Sequence, residues 1–151
     1  MNNVVEESID ITQGDANCTG ANTAALTWGD LWSYRVPVGI GHVLMPAHTF
    51  SCYLQSLTTG AEVESNALVK IVMRDSASQE EKPILTETLY KTLREFQDVN
   101  LKARLNLKEP LKIVEEQYIV VRAKTLNGVD VTGGAVESYF DLEAIRIREA
   151  L

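Results

Sequence analysis

The sequence predicts a mainly β protein: a single antiparallel β-sandwich or jelly-roll-like domain that carries one short helix. Three observations predict it. About eight short segments alternate apolar and polar residues with the period of two expected of half-buried strands. Gly, Pro and Asn turn signals separate them, without the alternating β-α units of a parallel fold. One stretch only has a helical period, and no internal repeat recurs at a fixed spacing.

The elements follow in order. In residues 4–12, Ile9 and Ile11 alternate with Ser8, Asp10 and Thr12, which predicts a first strand. Residues 13–27, QGDANCTGANTAALT, have no apolar period and read as a long loop or arm, a kind of segment often used at interfaces. The domain organisation expected is therefore an N-terminal strand and arm over 1–27 and the sandwich over 28–151. From Leu31 to Leu54 the pattern is β: Trp32, Tyr34 and Val36 share one parity, then Pro37 and Gly39 close the segment. A second apolar piece, His42 to Met45, runs into Pro46, and Phe50, Cys52 and Leu54 share the face of a further strand. Thr58-Thr59-Gly60 marks a turn, and residues 67–74 place Val69, Ile71 and Met73 opposite Lys70 and Arg74.

Asp75 to Lys82 reads as a polar loop. Leu85, Leu89, Leu93 and Phe96 recur at helical spacing and predict a helix over 84–98, with Pro83 suited to a first turn. Thr86, Thr88 and Thr92 argue against it, since β-branched residues favour strands. Leu101, Ala103, Leu105 and Leu107 alternate with polar residues, and Ile119, Val121 and Ala123 alternate with Val120, Arg122 and Lys124. Asn127-Gly128 signals a hairpin, because a type I′ turn needs positive φ at both centres, and Gly133-Gly134 signals a further turn or bulge. In the last strand Phe140 and Leu142 are even while Ile145 and Ile147 are odd. That predicts a β-bulge or a strand that changes sheet.

Composition narrows function. The 151 residues carry 14 Lys+Arg against 21 Asp+Glu, a net charge of −7. Such a chain is repelled by phosphate backbones, so nucleic acid is not an expected partner. No window approaches the ~18 apolar residues of a membrane helix, so neither is a membrane. Met1-Asn2-Asn3-Val4-Val5-Glu6-Glu7 has neither the basic nor the apolar region of a signal peptide, and synthesis in the cytoplasm is expected. Cys18 and Cys52 then read as free thiols, and the sequon Asn17-Cys18-Thr19 carries no weight.

The chemistry-bearing residues are few. His42 and His48 are the only imidazoles, straddle Pro46, and give too thin a ligand supply for a metal site. Gly39-Ile40-Gly41-His42-Val43-Leu44 lacks the third glycine of a dinucleotide fingerprint and reads as a turn between strands. No G-x-S-x-G elbow or cysteine-nucleophile motif occurs. The pairs Glu6-Glu7, Glu80-Glu81 and Glu115-Glu116 read as solvated charge, because neighbours on a strand point to opposite faces. An enzyme is not expected, and no cofactor. The aromatic concentration is Trp28, Trp32, Tyr34 and Tyr53. Trp32 and Tyr34 suit a core, while Trp28, Trp32 and Tyr53 are the candidate interface or ligand contacts.

The stretch Tyr34-Arg35-Val36-Pro37-Val38-Gly39, with Leu44-Met45-Pro46 and Phe50-Ser51-Cys52-Tyr53-Leu54, resembles the early strands of β-sandwich proteins on virus shells. Tailed-phage capsid decoration (cement) proteins and single jelly-roll capsid proteins are the families concerned. The resemblance implies a structural bacteriophage virion protein, a homo-oligomer and often a homotrimer. It would sit on the virion surface against a major capsid protein, held by an extended terminal segment or loop. The alternative is a carbohydrate- or other ligand-binding β-sandwich module that uses Trp28 or Tyr53. Lys70, Arg74, Lys102, Arg104, Arg122 and Lys124 fall largely on outward parities, so the charge reads as a mixed, solvated exterior.

Overall fold

The computed structural model describes residues 4–18, 21–22, 26–56, 59–75, 81–126, 131–134 and 137–149. Among them the order is β1 (Val4–Thr12), β2 (Asn17–Cys18), β3 (Ala21–Asn22), β4 (Gly29–Arg35), β5 (Ile40–Leu44), β6 (Thr49–Tyr53), β7 (Gln55–Ser56), β8 (Leu68–Arg74), β9 (Glu81–Leu89), α1 (Tyr90–Asp98), β10 (Ala103–Arg104), β11 (Leu111–Ile113), β12 (Tyr118–Lys124), β13 (Val131–Thr132) and β14 (Tyr139–Glu149). Every strand pairing is antiparallel.

Two sheets form the layers. In the six-stranded sheet β14 is central. It pairs with β1 along one edge and, end to end along the other, with β6 and β5, which are flanked by β10 and β11. The five-stranded sheet runs β2-β4-β12-β8-β9, and a small sheet β3-β13-β7 completes the set. Trp32 from one layer meets Phe140 from the other at 4.9 Å between ring centroids, and Phe50 lies 6.3 Å from Phe140. Ile11, Leu44, Val69, Ile71, Val121 and Leu142 fill the same interior. This is the antiparallel sandwich that the period-two segments predict, with one short helix.

Residues 13–27 do not run as one unpatterned connection in their described part. Thr12 donates its backbone N–H to Asp15 at 2.9 Å, closing a turn, and β2 and β3 then pair with β4 and β13. Pro37-Val38-Gly39 makes the predicted turn: Ile40 N–H bonds Pro37 C=O at 3.2 Å, and Gly39 supplies the positive φ of +81° that a type II turn needs. At the Gly133 turn an added Cβ would stand 2.6 Å from Trp32 Nε1, so this glycine lets the backbone lie on the indole. The Asn127-Gly128 hairpin lies outside the described residues, as do Thr58 and Ser78-Gln79-Glu80.

Three expectations are corrected. The helix predicted over 84–98 begins at Tyr90; residues 81–89 form edge strand β9, with Pro83 inside it. Two register shifts in the β8–β9 ladder bury Ile84 and Leu85 consecutively, and those bulges turn a strand's spacing into one that imitates a helix. The strand read at 101–107 shrinks to β10, since Leu105 then bonds His48 C=O and Asn106 bonds Ile84 C=O, crossing from one sheet towards the other. The last strand has no bulge against β1: its register is continuous from Val4↔Glu149 to Thr12↔Asp141. Phe140, Leu142 and Ala144 face inward, and Ile145 and Ile147 are on the outward side. The same parity continues as Arg146, partly buried, and Arg148, exposed, both paired with Glu7.

Helix α1 ends in a Schellman-type cap. Leu101 N–H reaches Phe96 C=O at 2.8 Å and Asn100 N–H reaches Gln97 C=O at 3.0 Å, with Asn100 at φ +60°. This cap aims Asn100, Leu101 and Lys102 back over the six-stranded sheet, beside a wide cleft.

Candidate interaction surfaces

The predicted contact residues separate. Trp32 is 1% exposed and belongs to the core. Trp28, just before β4, is half-buried on the outward side of the five-stranded sheet, with Lys70 Nζ 4.3 Å and Lys124 Nζ 5.0 Å from its ring centroid. Tyr53 stacks on Tyr139 at 6.0 Å and 13°, and the Arg94 guanidinium lies 5.1 Å from its ring.

The two histidines have separate duties. His42 is fully buried, 2.8 Å by Nε2 from the Tyr34 hydroxyl, and burial pushes its pKa down. His48 Nδ1 accepts the Met45 backbone N–H at 2.9 Å, which fastens the β5–β6 turn. Among the described residues no three His, Cys, Asp or Glu side chains group as metal ligands. Both cysteines are free; burial pushes the Cys52 thiol up to about 12, which keeps it protonated and inert. No helix among the described residues is long and apolar enough to cross a membrane.

The outward face of the five-stranded sheet carries a charge network of its own, beside a groove of about 250 Å³ lined by Lys70, Val72 and Pro83 among others. Arg74 forks onto Asp30 at 2.6 and 3.2 Å, Arg122 Nε reaches the same carboxylate at 2.7 Å, and both arginines also reach Glu81. Burial opposes the charge on Asp30, but the Arg74 hydrogen bonds and the charges of Arg74 and Arg122 outweigh it and hold the carboxyl below its usual range. Val72 and Val120, although on this face, are buried, beside the long aliphatic stems of the cationic row.

The outward face of the six-stranded sheet is open in two places. At one end a groove of about 290 Å³ is lined by Val4, Ile40, Gly41, Val114 and Ile147 among others. Val4 and Val114 are 57% and 44% exposed, and β1 beside them pairs with no second strand among the described residues. At the other end a cleft of about 740 Å³ lies between the α1 cap, the Thr12-Gln13 turn and the start of β14. Lys102 meets Asp141 there at 3.6 Å. Burial raises the Asp141 pKa, Lys102 opposes the rise and neighbouring Asp10 adds to it.

No family model matches the chain, and no curated protein matches its sequence. Solved structures do match. VP17, a capsid protein of bacteriophage P23-77, superposes with a TM-score of 0.72 at 9% identity, covering 100% of this chain and 100% of that one. The fold is one that phage capsid proteins use. The complex of VP16 and VP17, the two major capsid proteins of that phage, gives a TM-score of 0.69 at 9% identity over 97% of this chain and 100% of the matched one. The capsid-protein fold expected from the Tyr34–Leu54 stretch is thus present, at an identity that speaks for the fold alone.

Sequence reasoning singled out Tyr53 but missed its partners Tyr139 and Arg94, and the Lys102–Asp141 pair. They come from four separate segments, so no local motif joins them. The one available signal is the odd parity of Tyr139 and Asp141 in a strand whose even residues are core.

Proposed function

We propose that this chain is a structural capsid-associated protein, a decoration or minor capsid protein that forms symmetric oligomers on a shell surface. The observation that supports it most is the match to the VP17 fold over the whole of both chains. In this reading the protein is made in the host cytoplasm and resides on the virion surface, against a major capsid protein, with neither nucleic acid nor membrane as a partner. A homotrimer is the expected closed form.

The physical support comes from the open end of the six-stranded sheet. A strand with one edge free of a partner among the described residues, and a groove with exposed valines beside it, are two means by which a β protein recruits a neighbour, through ladder hydrogen bonds and area removed from water. The segment 1–27 contributes β1 to that contact, and 28–151 supplies the sandwich that presents it. The net charge of −7 keeps a crowded surface protein soluble between contacts. Of the predicted contact residues, Trp28 and Tyr53 are half-buried at the surface and Trp32 lies in the core.

Native mass measured by light scattering across a concentration series tests the reading. A closed multiple of 16.7 kDa is expected. Val114→Glu should reduce that mass while changing stability by no more than about 0.5 kcal/mol, as is usual for an exposed position. A strict monomer at every concentration that also fails to bind purified shells would overturn it.

A further inference from the structure

The 740 Å³ cleft falls within the range of roughly 300–1,000 Å³ usual for small-molecule sites, and nothing in the capsid reading accounts for it. Its lining has a particular chemistry. Two acidic residues, Asp98 and Asp141, face two basic ones, Arg94 and Lys102, so the walls carry no net formal charge. The planar amide of Asn100 offers donor and acceptor together, and Gln97, whose Oε1 accepts from Arg94, offers its amide N–H groups. At 3.6 Å the Lys102–Asp141 contact is an ion pair longer than a good hydrogen bond, which leaves both groups capacity for a further partner.

Tyr139 supplies the apolar element. It is 38% exposed, lines the cleft, and is held in place by the stack on Tyr53, itself braced by Arg94. A ring immobilised before binding loses little entropy when a ligand settles on it. A flat ring flanked by balanced donors and acceptors suits a ligand with C–H groups on its face and hydroxyls at its rim.

We propose that this cleft binds a neutral oligosaccharide, with Tyr139 as the stacking ledge and Lys102, Asp141, Gln97 and Asn100 as hydroxyl partners. The balance of charges turns away polyanionic glycans. Trp28, the other aromatic suited to a sugar, is no part of the site, because two lysine ammoniums already sit over its ring. The proposal is independent of the capsid reading.

The test is calorimetric titration and saturation-transfer NMR of the full chain with maltohexaose, cellohexaose and chitohexaose, and with a heparin hexasaccharide as the charged comparison. At least one neutral hexasaccharide should bind. Tyr139→Ala should weaken that binding by about tenfold, the order expected of one lost aromatic contact. Lys102→Ala, on an exposed side chain outside the core, should weaken it in the same direction. Trp28→Ala should leave it within about twofold, as for a remote surface change. Unfolding midpoints confirm that each variant is folded. The proposal is overturned if no neutral hexasaccharide binds, if heparin binds in preference, or if neither cleft variant weakens binding. It is also overturned if Tyr139→Ala dissociates an oligomer that binds no sugar, since the cleft then belongs to a second copy.

Discussion

The outward faces of the two sheets are built from the same alternating pattern and differ in how far their polar groups satisfy one another. On the five-stranded sheet Asp30, Glu81, Arg74 and Arg122 satisfy one another, and the cationic row lies beside Val72 and Val120. On the six-stranded sheet the apolar residues Val4, Val114 and Ile147 line an open groove, and a wide cleft opens beside Tyr139. A face whose polar groups already have partners gains little from a neighbour, because any new contact must first break an existing one. A face with exposed apolar area gains more, since covering that area removes it from water. The difference directs attention to the six-stranded sheet as the working surface.

The largest effect comes from what both faces share. Trp32 joins the layers through Phe140, and Trp32→Ala should cost about 3–5 kcal/mol in chemical denaturation, the range for emptying a buried aromatic site. Both faces should be lost together, in one transition. Gly133→Ala drives a Cβ into the same indole and should cost about 1–3 kcal/mol by overpacking.

The next change breaks the charge-paired face only. Asp30→Ala leaves Arg74 and Arg122 sharing Glu81, in a network whose side chains are 18–30% exposed. The expected cost is about 1–3 kcal/mol, between that of an exposed pair and that of a fully buried one. Because the folded pKa of Asp30 lies below its ordinary value of 3.8, this contribution is present above that value and is lost as pH falls through the folded pKa. Thermal unfolding of wild type and variant should therefore converge in strong acid, while the native mass stays unchanged throughout.

A smaller effect is expected where the interior becomes polar. His42 lies between the layers against Tyr34, in register with Arg146. Burial lowers its pKa from 6.5, chiefly by disfavouring the charged ring, with Arg146 acting in the same sense and the Ile145 backbone and Asp15 opposing. The unfolded chain then binds the proton more readily. Stability should be full above 6.5, decline as pH falls below it, and level off beneath the folded pKa. His42→Gln should flatten that slope in a melting series.

Periodicity made the sandwich legible because a half-buried strand must alternate, and 67–74 and 119–124 keep Val69, Ile71, Met73, Ile119, Val121 and Ala123 on one parity although Val72 and Val120 are apolar on the other. It failed where geometry interrupts alternation. The β9 bulges gave Leu85, Leu89 and Leu93 a helical spacing, and Thr86 and Thr88 were the local sign of the strand beneath. At the end of β14 the parity of Ile145 and Ile147 imitates a bulge, although what changes is the environment: the core parity ends in Arg146 and Arg148, paired with Glu7, and the isoleucines take the other face. The surfaces were least legible. Trp28 and Tyr53 stand out by composition, but the cleft is assembled from Arg94, Lys102, Tyr139 and Asp141, which only the folded chain brings together.

Hydrogen exchange at low and high protein concentration tests most directly whether the six-stranded sheet is the contact face. Oligomerisation should add protection to the amides of 4–12 and 111–114 and leave 68–74 and 118–124 unchanged. Added protection confined to 68–74 and 118–124, with β1 exchanging as in the dilute protein, would contradict the account.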